Sequence, residues 1–282
     1  MAQDSSTPAR RRRFPGWLIV VLVLVILLAV GALWLFGPRI RAALAPEATL
    51  PPQVSDNTPG GVLYETTFDT LESFADWEVF NDGAIAAEPG SGQLVVSINA
   101  LTDTGTWSGL NYTFDDFSLS VDATKLDGPD DNGITIVFRL TDTSNYNRFD
   151  ISSDGFYSLS MVRGGQPAIV SDWTRSDAIL TGAATNRITV TGVGDTFRFA
   201  VNGTPLPLCI STDPASQALW DPFASEPTCL GGNVVDAWTN ADLPRGKLGL
   251  GAQGFSGFDG EAETPAVAMI GFDNLVITAP GG

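Results

Sequence analysis

The sequence predicts an all-β fold, a two-sheet antiparallel β-sandwich, preceded by one transmembrane α-helix. Three observations support this prediction. An uncharged apolar run at 17–36 has the length of a membrane span. Most of the chain that follows alternates apolar and polar residues, as in Phe117–Ala123 and Phe197–Val201, which is the period of a half-buried strand. Turn signals rich in Gly, Asn and Asp separate these segments at intervals of about 8 to 14 residues.

The N-terminal 37 residues carry the membrane prediction. Residues 1–15 form a basic tail with four arginines at Arg10–Arg13, and residues 16–37 form the predicted signal-anchor helix. Twenty residues of helix span roughly 30 Å, the thickness of one hydrocarbon core. Because positive charge is retained in the cytoplasm, we expect a single-pass plasma-membrane protein with a cytoplasmic N-terminus and an extracytoplasmic C-terminal domain.

A cleaved signal peptide is the alternative, since Ala43–Ala45 resembles a cleavage site. The apolar run is longer than a signal-peptide core and Pro46 follows the cleavage position, so an uncleaved anchor is favoured. Residues 38–61 are rich in Pro and Ala and are predicted to be a linker that holds the domain away from the bilayer.

The composition excludes several kinds of chemistry. The 282 residues contain no His, and 32 acidic residues outnumber 15 basic ones, for a net charge of −17. Without His there is no Ser-His-Asp triad and no imidazole metal site, so a metal would need oxygen ligands and acid–base catalysis would need carboxylates. Nucleic acid is an unsuitable partner because its affinity comes from Lys and Arg that neutralise phosphates. Residues 46–282 hold nine basic and 31 acidic residues, a difference of −22.

An ordered series of motifs in residues 62–278 resembles the concanavalin-A-like lectin/glucanase domain, especially the bacterial laminin-G-like and 3-keto-disaccharide-hydrolase-like forms. The motifs that carry the resemblance are Tyr64–Asp69, Gly133–Arg139, Asn145–Phe149, Gly155–Tyr157, Asn186–Val190, Val201–Gly203, Gly246–Leu250 and Phe272–Ile277. The resemblance implies that the sandwich is a two-sheet antiparallel jelly-roll β-sandwich with curved sheets, and that glycan binds on the concave face or on the loops at its edge. It does not imply catalysis, because the Glu-x-Asp-x-x-Glu motif of the glucanases does not occur in this sequence.

Strand alternation selects the candidate ligand-binding residues. If Ile136 and Phe149 face the core, then Arg139, Arg148 and Asp150 lie together on the opposite face of one sheet. Guanidinium and carboxylate groups beside an aromatic ring are the groups that a sugar site uses. The candidate ligand-binding set is Trp107, Arg139, Asn147, Arg148, Asp150, Tyr157 and Trp173. The alternative is a solvated face with cross-strand ion pairs, with most of the seven Trp in the core.

Two further features have structural interpretations. Cys209 and Cys229 are the only cysteines, and we expect a disulfide between them that closes a loop within an insertion at 204–240. Trp220 and Phe223 in this insertion form either an exposed binding tip or a small satellite core. The resemblance implies that the terminal strands are neighbours, so Asp69 near the first strand and Asp273 near the last could meet. They form either a structural calcium site like that of many such folds or two unrelated surface acids. No cofactor is required.

Three functions are compatible with these features. The leading hypothesis is a membrane-anchored, extracytoplasmic domain that binds carbohydrate or another surface polymer. The second is a glycan-degrading hydrolase of the 3-keto-glycoside type, and the third is an adhesive or structural envelope protein. The missing glucanase carboxylates and the absence of His favour binding over hydrolysis.

Overall fold

The computed structural model describes residues 52–54, 58–213, 216–224, 227–258 and 262–281. These residues belong to one unit, Leu50–Gly282. The predicted basic tail, the predicted membrane span at 16–37 and most of the predicted linker at 38–61 lie outside the described residues. Within the described ranges, no helix has the length and apolar character needed to cross a membrane.

The described chain folds into antiparallel β-sheets that pack as a sandwich, as the sequence predicts. One short 3-10 helix, Leu71–Phe74, follows the first strand. The strands are β1 Val62–Thr66, β2 Phe80–Asn81, β3 Ile85–Gly90, β4 Gln93–Ala100, β5 Thr104–Gly109, β6 Phe117–Asp127, β7 Gly133–Asp142, β8 Asn145–Ser152, β9 Phe156–Arg163, β10 Gln166–Arg175, β11 Asn186–Val193, β12 Thr196–Val201, β13 Thr204–Pro205, β14 Leu208–Ser211, β15 Leu219–Trp220, β16 Cys229–Leu230, β17 Gly232–Val235, β18 Trp238–Thr239, β19 Lys247–Gly254, β20 Gly257–Phe258, β21 Glu263–Thr264 and β22 Ala266–Thr278.

Two large sheets form the sandwich. The ten-stranded sheet has the order β13-β12-β11-β6-β22-β4-β3-β2, with β1 paired to β22 and β18 paired to β12. The six-stranded sheet has the order β10-β9-β8-β7-β19-β5. The first and last strands of the domain, β1 and β22, are therefore neighbours, as expected from the sequence.

Alternation along the strands builds the core between the two sheets. In β6, Phe117, Leu119 and Val121 are buried while the serines between them are half-buried. Aromatic rings from the two sheets meet in the middle. Phe138 of β7 lies 5.0 Å from Phe197 of β12, and the ring of Phe149 in β8 stacks 4.6 Å from that of Phe199. Each fully buried Phe contributes roughly 1.5–3 kcal/mol through the apolar surface removed from water.

The predicted insertion leaves β12 and returns to it. Its first strand β13 and its last strand β18 both pair with β12, and between them β14 pairs with β17 and β15 with β16. The predicted disulfide is confirmed: Cys209 of β14 is bonded to Cys229 of β16. The insertion is therefore a pair of nested hairpins joined covalently at their base.

Candidate functional site

The candidate site lies on the outer face of the six-stranded sheet, the face directed away from the core. Phe149 and Ile151 of β8 are buried in the core, so Arg148 and Asp150 between them point outward, as the alternation predicts. Trp107 of β5 lies on the same face. Its strand pairs with β19, which in turn pairs with β7 and places Gly251 between Trp107 and Thr135.

Glycines give this face its shape. A Cβ atom on Gly251 would lie 2.4 Å from the carbonyl oxygen of Thr106 and 2.8 Å from Cβ of Trp107. A Cβ atom on Gly249 would lie 3.3 Å from Cδ1 of Trp107. Because neither residue has a side chain, the indole lies directly on β19. We call Gly133, Gly249 and Gly251 the glycine floor; in the paired register they occupy the central strands β7 and β19.

Two aromatic rings meet above the glycine floor. The ring centroids of Trp107 and Tyr146 are 4.8 Å apart, and the ring planes are inclined by 52°. Both side chains are partly exposed. Burial raises the pKa of the Tyr146 hydroxyl, while Arg148 lowers it and Asp150 raises it by smaller amounts. The sequence prediction missed Tyr146, although it lies two residues before Arg148 and therefore on the same face.

A buried ion pair lies beside the rings. Nε of Arg148 donates to Oδ2 of Asp150 over 2.7 Å, and the hydroxyl of Thr135 donates to Oδ1 over 2.5 Å. Asp150 is completely buried, whereas the Arg148 side chain is 23% exposed. Burial raises the pKa of Asp150, and the charge of Arg148 and the hydrogen bond from Thr135 oppose that rise. Burial is the largest of these effects, so the pKa of Asp150 lies above its ordinary value even beside its paired arginine.

The guanidinium of Arg148 extends across the face. Its Nη1 lies 3.7 Å from the position that a Cβ on Gly105 would occupy, at the β5 edge. Among the described residues its hydrogen bond runs through Nε to Asp150, which leaves the two Nη groups as donors directed over the sheet. Gln253, also on this face, has its Oε1 enclosed without a hydrogen-bond partner in the described part of the chain. Gln253 was not predicted, and its alternation with Gly251 along β19 is the signal that identifies it.

The prediction that Arg139 shares this face is wrong. Its backbone has a φ of 53°, and the register between β7 and β8 shifts after Phe138, which reverses the alternation. Arg139 is 1% exposed. It donates to the carbonyl oxygens of Phe114 and Gly194, and its guanidinium lies against the rings of Phe117 and Phe197 at 5.6 and 5.4 Å. Burial lowers the pKa of Arg139, and nearby aspartates oppose the shift. Arg139 therefore stabilises the end of the core.

Asn147 and Tyr157 also lie on the core side of the sheet. Asn147 is 1% exposed and its Oδ1 accepts a hydrogen bond from Arg163 over 2.6 Å. Tyr157 packs near Phe149 and donates its hydroxyl proton to the carbonyl oxygen of Pro207 over 2.5 Å; burial strongly raises its pKa. The structure thus brings together three of the seven predicted ligand-binding residues, Trp107, Arg148 and Asp150. Trp173 lies on the edge strand β10, two strands away from β8.

The predicted calcium residues have separate partners. Oδ2 of Asp69 accepts from the hydroxyl of Thr67 over 2.6 Å. Asp273 pairs in register with Asp122 of β6, and its Oδ1 accepts from the backbone N–H of Asn274. Across the described residues, no group of three or more Asp, Glu, Cys or His side chains could hold a metal ion. Calcium binding stays a prediction.

Comparisons with known proteins show likeness of architecture only. No protein-family model and no curated protein sequence matches the chain. Among solved structures, a Bacillus subtilis protein of unknown function with a galectin-like fold aligns with 79% of this chain and 97% of its own, at 15% identity and a TM-score of 0.49. The carbohydrate-binding module CBM66 from Bacillus subtilis aligns with 72% of this chain and 95% of its own, at 14% identity and a TM-score of 0.43. A native glycosidic hydrolase covers 83% of this chain and 99% of its own, at 11% identity and a TM-score of 0.48. At TM-scores below 0.5, these likenesses do not determine what this chain binds.

Proposed function

We propose that the outer face of the six-stranded sheet binds a neutral polysaccharide, and that the chain is a concanavalin-A-like carbohydrate-binding protein. The observation that supports this proposal most directly is the Trp107–Tyr146 ring pair above the glycine floor, beside the Arg148–Asp150 ion pair. Both rings are partly exposed, so they present an apolar surface to a ligand beside polar groups.

The chemistry of the face fits a sugar ring. Aromatic faces pack against the apolar C–H face of a pyranose, and donors and acceptors at their rim bind its hydroxyl groups. Here the rings of Trp107 and Tyr146 supply the apolar surface. The Nη groups of Arg148, which is held through Nε, are donors at the rim of the rings. An arginine that is already anchored through Nε loses little entropy when it binds a ligand.

Charge narrows the class of sugar. Arg148 is neutralised by Asp150, so the face presents no uncompensated positive charge near the rings. The chain as a whole carries −17, and its field repels polyanions at low ionic strength. We therefore propose neutral glycans as ligands, with uronate-rich or sulfated polymers excluded.

The burial and hydrogen bonding of the Asp150 carboxylate favour binding over hydrolysis. A glycosidase uses two carboxyl groups about 5 to 9.5 Å apart, one of them free to donate or accept a proton. Both oxygens of Asp150 already accept hydrogen bonds, from Thr135 and Arg148, and the side chain is completely buried. Asp150 is therefore a positioning residue for Arg148.

A glycan array probed with the full chain in mild detergent tests this function. We expect signal on neutral polysaccharides, and at least a tenfold loss of affinity for Trp107→Ala and Arg148→Ala, in line with about 1.4 kcal/mol per decade. Ser120→Ala is the matched control, because Ser120 lies on the outer face of the ten-stranded sheet and bonds Thr189 there. Signal on neutral glycans that Trp107→Ala leaves unchanged would contradict the proposed site, and no glycan signal at all would contradict the function.

We also propose that the domain is displayed outside the cell on the apolar segment at 17–36. The support is the length of that segment and the four arginines that precede it. Protease added to intact cells should remove a C-terminal tag and spare an N-terminal one. Protection of the C-terminal tag would contradict this topology.

A further inference from the structure

A cavity lies between the insertion and the edge strand β10, apart from the outer-face site. It has a volume of about 570 Å³, within the range of ordinary small-molecule sites. We call it the insertion cleft. Trp173 and Arg175 of β10 form one side, and Trp220 and Asp221 of the insertion form the other.

The walls of the insertion cleft are fixed by several bonds. The Cys209–Cys229 disulfide joins β14 to β16, where Cys229 pairs in register with Trp220 of β15. The backbone N–H of Cys209 donates to the hydroxyl of Ser171 on β10 over 3.1 Å. The hydrogen bond from Tyr157 to Pro207 fixes the point where the insertion leaves the sheet. A cleft that is held open in this way needs little reorganisation to accept a ligand.

Two indoles line the cleft without packing on each other. No ring contact joins Trp173 and Trp220 among the aromatic pairs of the described residues. Nε1 of Trp220 is enclosed and has no hydrogen-bond acceptor in the described part of the chain. A buried N–H without an acceptor is unusual, because most such groups have a partner. The cleft therefore combines aromatic surface with an unused donor.

We propose that the insertion cleft is a second subsite for a pyranose ring, separate from the outer-face site. This inference rests on the proposed glycan-binding function. Indole faces, a guanidinium at Arg175, a carboxylate at Asp221 and the hydroxyl of Thr174 form a mixed lining that suits a ring with one apolar face and several hydroxyls. Two subsites on one chain increase the avidity for a long polymer without new contacts at either.

A titration that resolves the indole N–H signals tests the inference. The full chain in mild detergent, labelled with ¹⁵N, is titrated with cellohexaose, laminarihexaose and xylohexaose in turn, and the signals of Trp107, Trp173 and Trp220 are assigned from Trp→Phe variants. We expect at least one sugar to shift the Trp173 and Trp220 signals, and to do so in Trp107→Ala as well. Trp220→Ala should weaken binding at the cleft at least tenfold. Phe223→Ala is the matched control, because Phe223 is on the same hairpin, is 95% exposed and does not line the cleft.

Each outcome decides between the two proposals. Shifts at Trp107 with none at Trp173 or Trp220 would overturn the second subsite and leave the outer-face function intact. An absence of shifts at all three indoles with all three sugars would overturn both. Decaproline is included as a probe of aromatic grooves that bind extended proline-rich peptides; shifts at the cleft with decaproline alone would overturn the sugar assignment. Trp220→Phe keeps a ring in place if Trp220→Ala unfolds the hairpin, and loss of affinity in Trp220→Phe then reports the contribution of the indole.

Discussion

The outer faces of the two sheets are built differently, although both point away from the same core. On the ten-stranded sheet, short hydroxyls pair across strands: Ser118 with Thr191 at 3.0 Å and Ser120 with Thr189 at 2.9 Å. These side chains are partly exposed, and each polar group already has its partner. On the six-stranded sheet, the outward side chains of Thr135 and Asp150 are buried and two aromatic rings lie above glycines.

This difference distinguishes a solvated face from a face with buried polar groups. Polar groups that can exchange partners with water contribute little to stability, whereas buried polar groups must keep the partners they have. The six-stranded face therefore depends on a few fixed interactions, and changes there should cost more than equivalent changes on the ten-stranded face. Four experiments test this comparison.

The largest effect is expected at Asp150. Asp150→Ala removes the acceptor of the buried Thr135 hydroxyl and leaves Arg148 unpaired, so we expect a loss of about 3 kcal/mol in the free energy of unfolding. Asp122→Ala is the control, because the Asp122–Arg187 pair on the ten-stranded sheet has the same type of partners but is 24% and 43% exposed. It should cost less than about 1 kcal/mol. Urea unfolding measures both, and equal costs would show that the two faces are energetically alike.

The glycine floor gives the next largest effect. In Gly251→Ala the new methyl would meet the carbonyl oxygen of Thr106 at 2.4 Å, which cannot move without shifting β5. We expect a loss of about 1–3 kcal/mol, together with displacement of Trp107 and weaker glycan binding. Gly105→Ala is the control for stability, because a methyl there has its nearest neighbours at 3.7 and 3.9 Å. Unchanged stability and binding in Gly251→Ala would show that the floor is not what positions the indole.

Alternation in the sequence predicted much of the six-stranded face but failed at particular residues. It placed Arg148 and Asp150 outward correctly, because β8 keeps a regular register with β7 along Gly133–Phe138. It failed at Arg139 because a period of two cannot anticipate a residue with positive φ at a shift in register. The buried arginine is therefore a consequence of local backbone geometry and of the space between Phe117 and Phe197, which only the folded chain defines.

Other parts of the candidate site were harder to predict because they depend on contacts between segments that are distant in sequence. Trp107 was among the predicted ring residues, but its partner Tyr146 was not, because the contact requires β5 and β8 to lie on the same sheet with β19 and β7 between them. The disulfide was predictable because the chain has only two cysteines. The insertion cleft was not, since it forms between β10 and a segment that follows it by more than 40 residues in sequence.

A smaller effect is expected in the pH dependence of stability. Burial raises the pKa of Asp150, so the folded protein retains a proton that the unfolded chain releases above its own value of about 3.9. The stability that this group contributes is full below the unfolded pKa and falls as pH rises through the folded pKa. The difference in unfolding free energy between the wild type and Asp150→Asn should therefore become less favourable to the wild type as pH rises.

The stability that Asp103 contributes should depend on pH with the opposite sign. The hydrogen bonds from the side chain and backbone of Ser256 lower the pKa of Asp103, so its contribution is present above the unfolded pKa and is lost as pH falls through the folded one. The loss of unfolding free energy that Asp103→Asn causes relative to the wild type should therefore shrink as pH falls. The loss that Asp150→Asn causes should shrink as pH rises. Chemical denaturation from pH 3 to 7 measures both slopes, and slopes of the same sign would contradict the role of burial at Asp150.

The last experiment removes one hydroxyl from each face, and the smallest effect of all is expected at Ser120. Ser120→Ala on the ten-stranded sheet leaves Thr189 half-buried and able to bond water, so we expect a loss well under about 1 kcal/mol. Thr135→Val on the six-stranded sheet keeps the shape but leaves Oδ1 of the buried Asp150 without its donor, which should cost about 1–3 kcal/mol. Unfolding in urea measures both losses on chains of nearly equal volume. If Ser120→Ala costs as much as Thr135→Val, burial on the six-stranded face has no energetic consequence and the ring pair is the only feature that distinguishes the two faces.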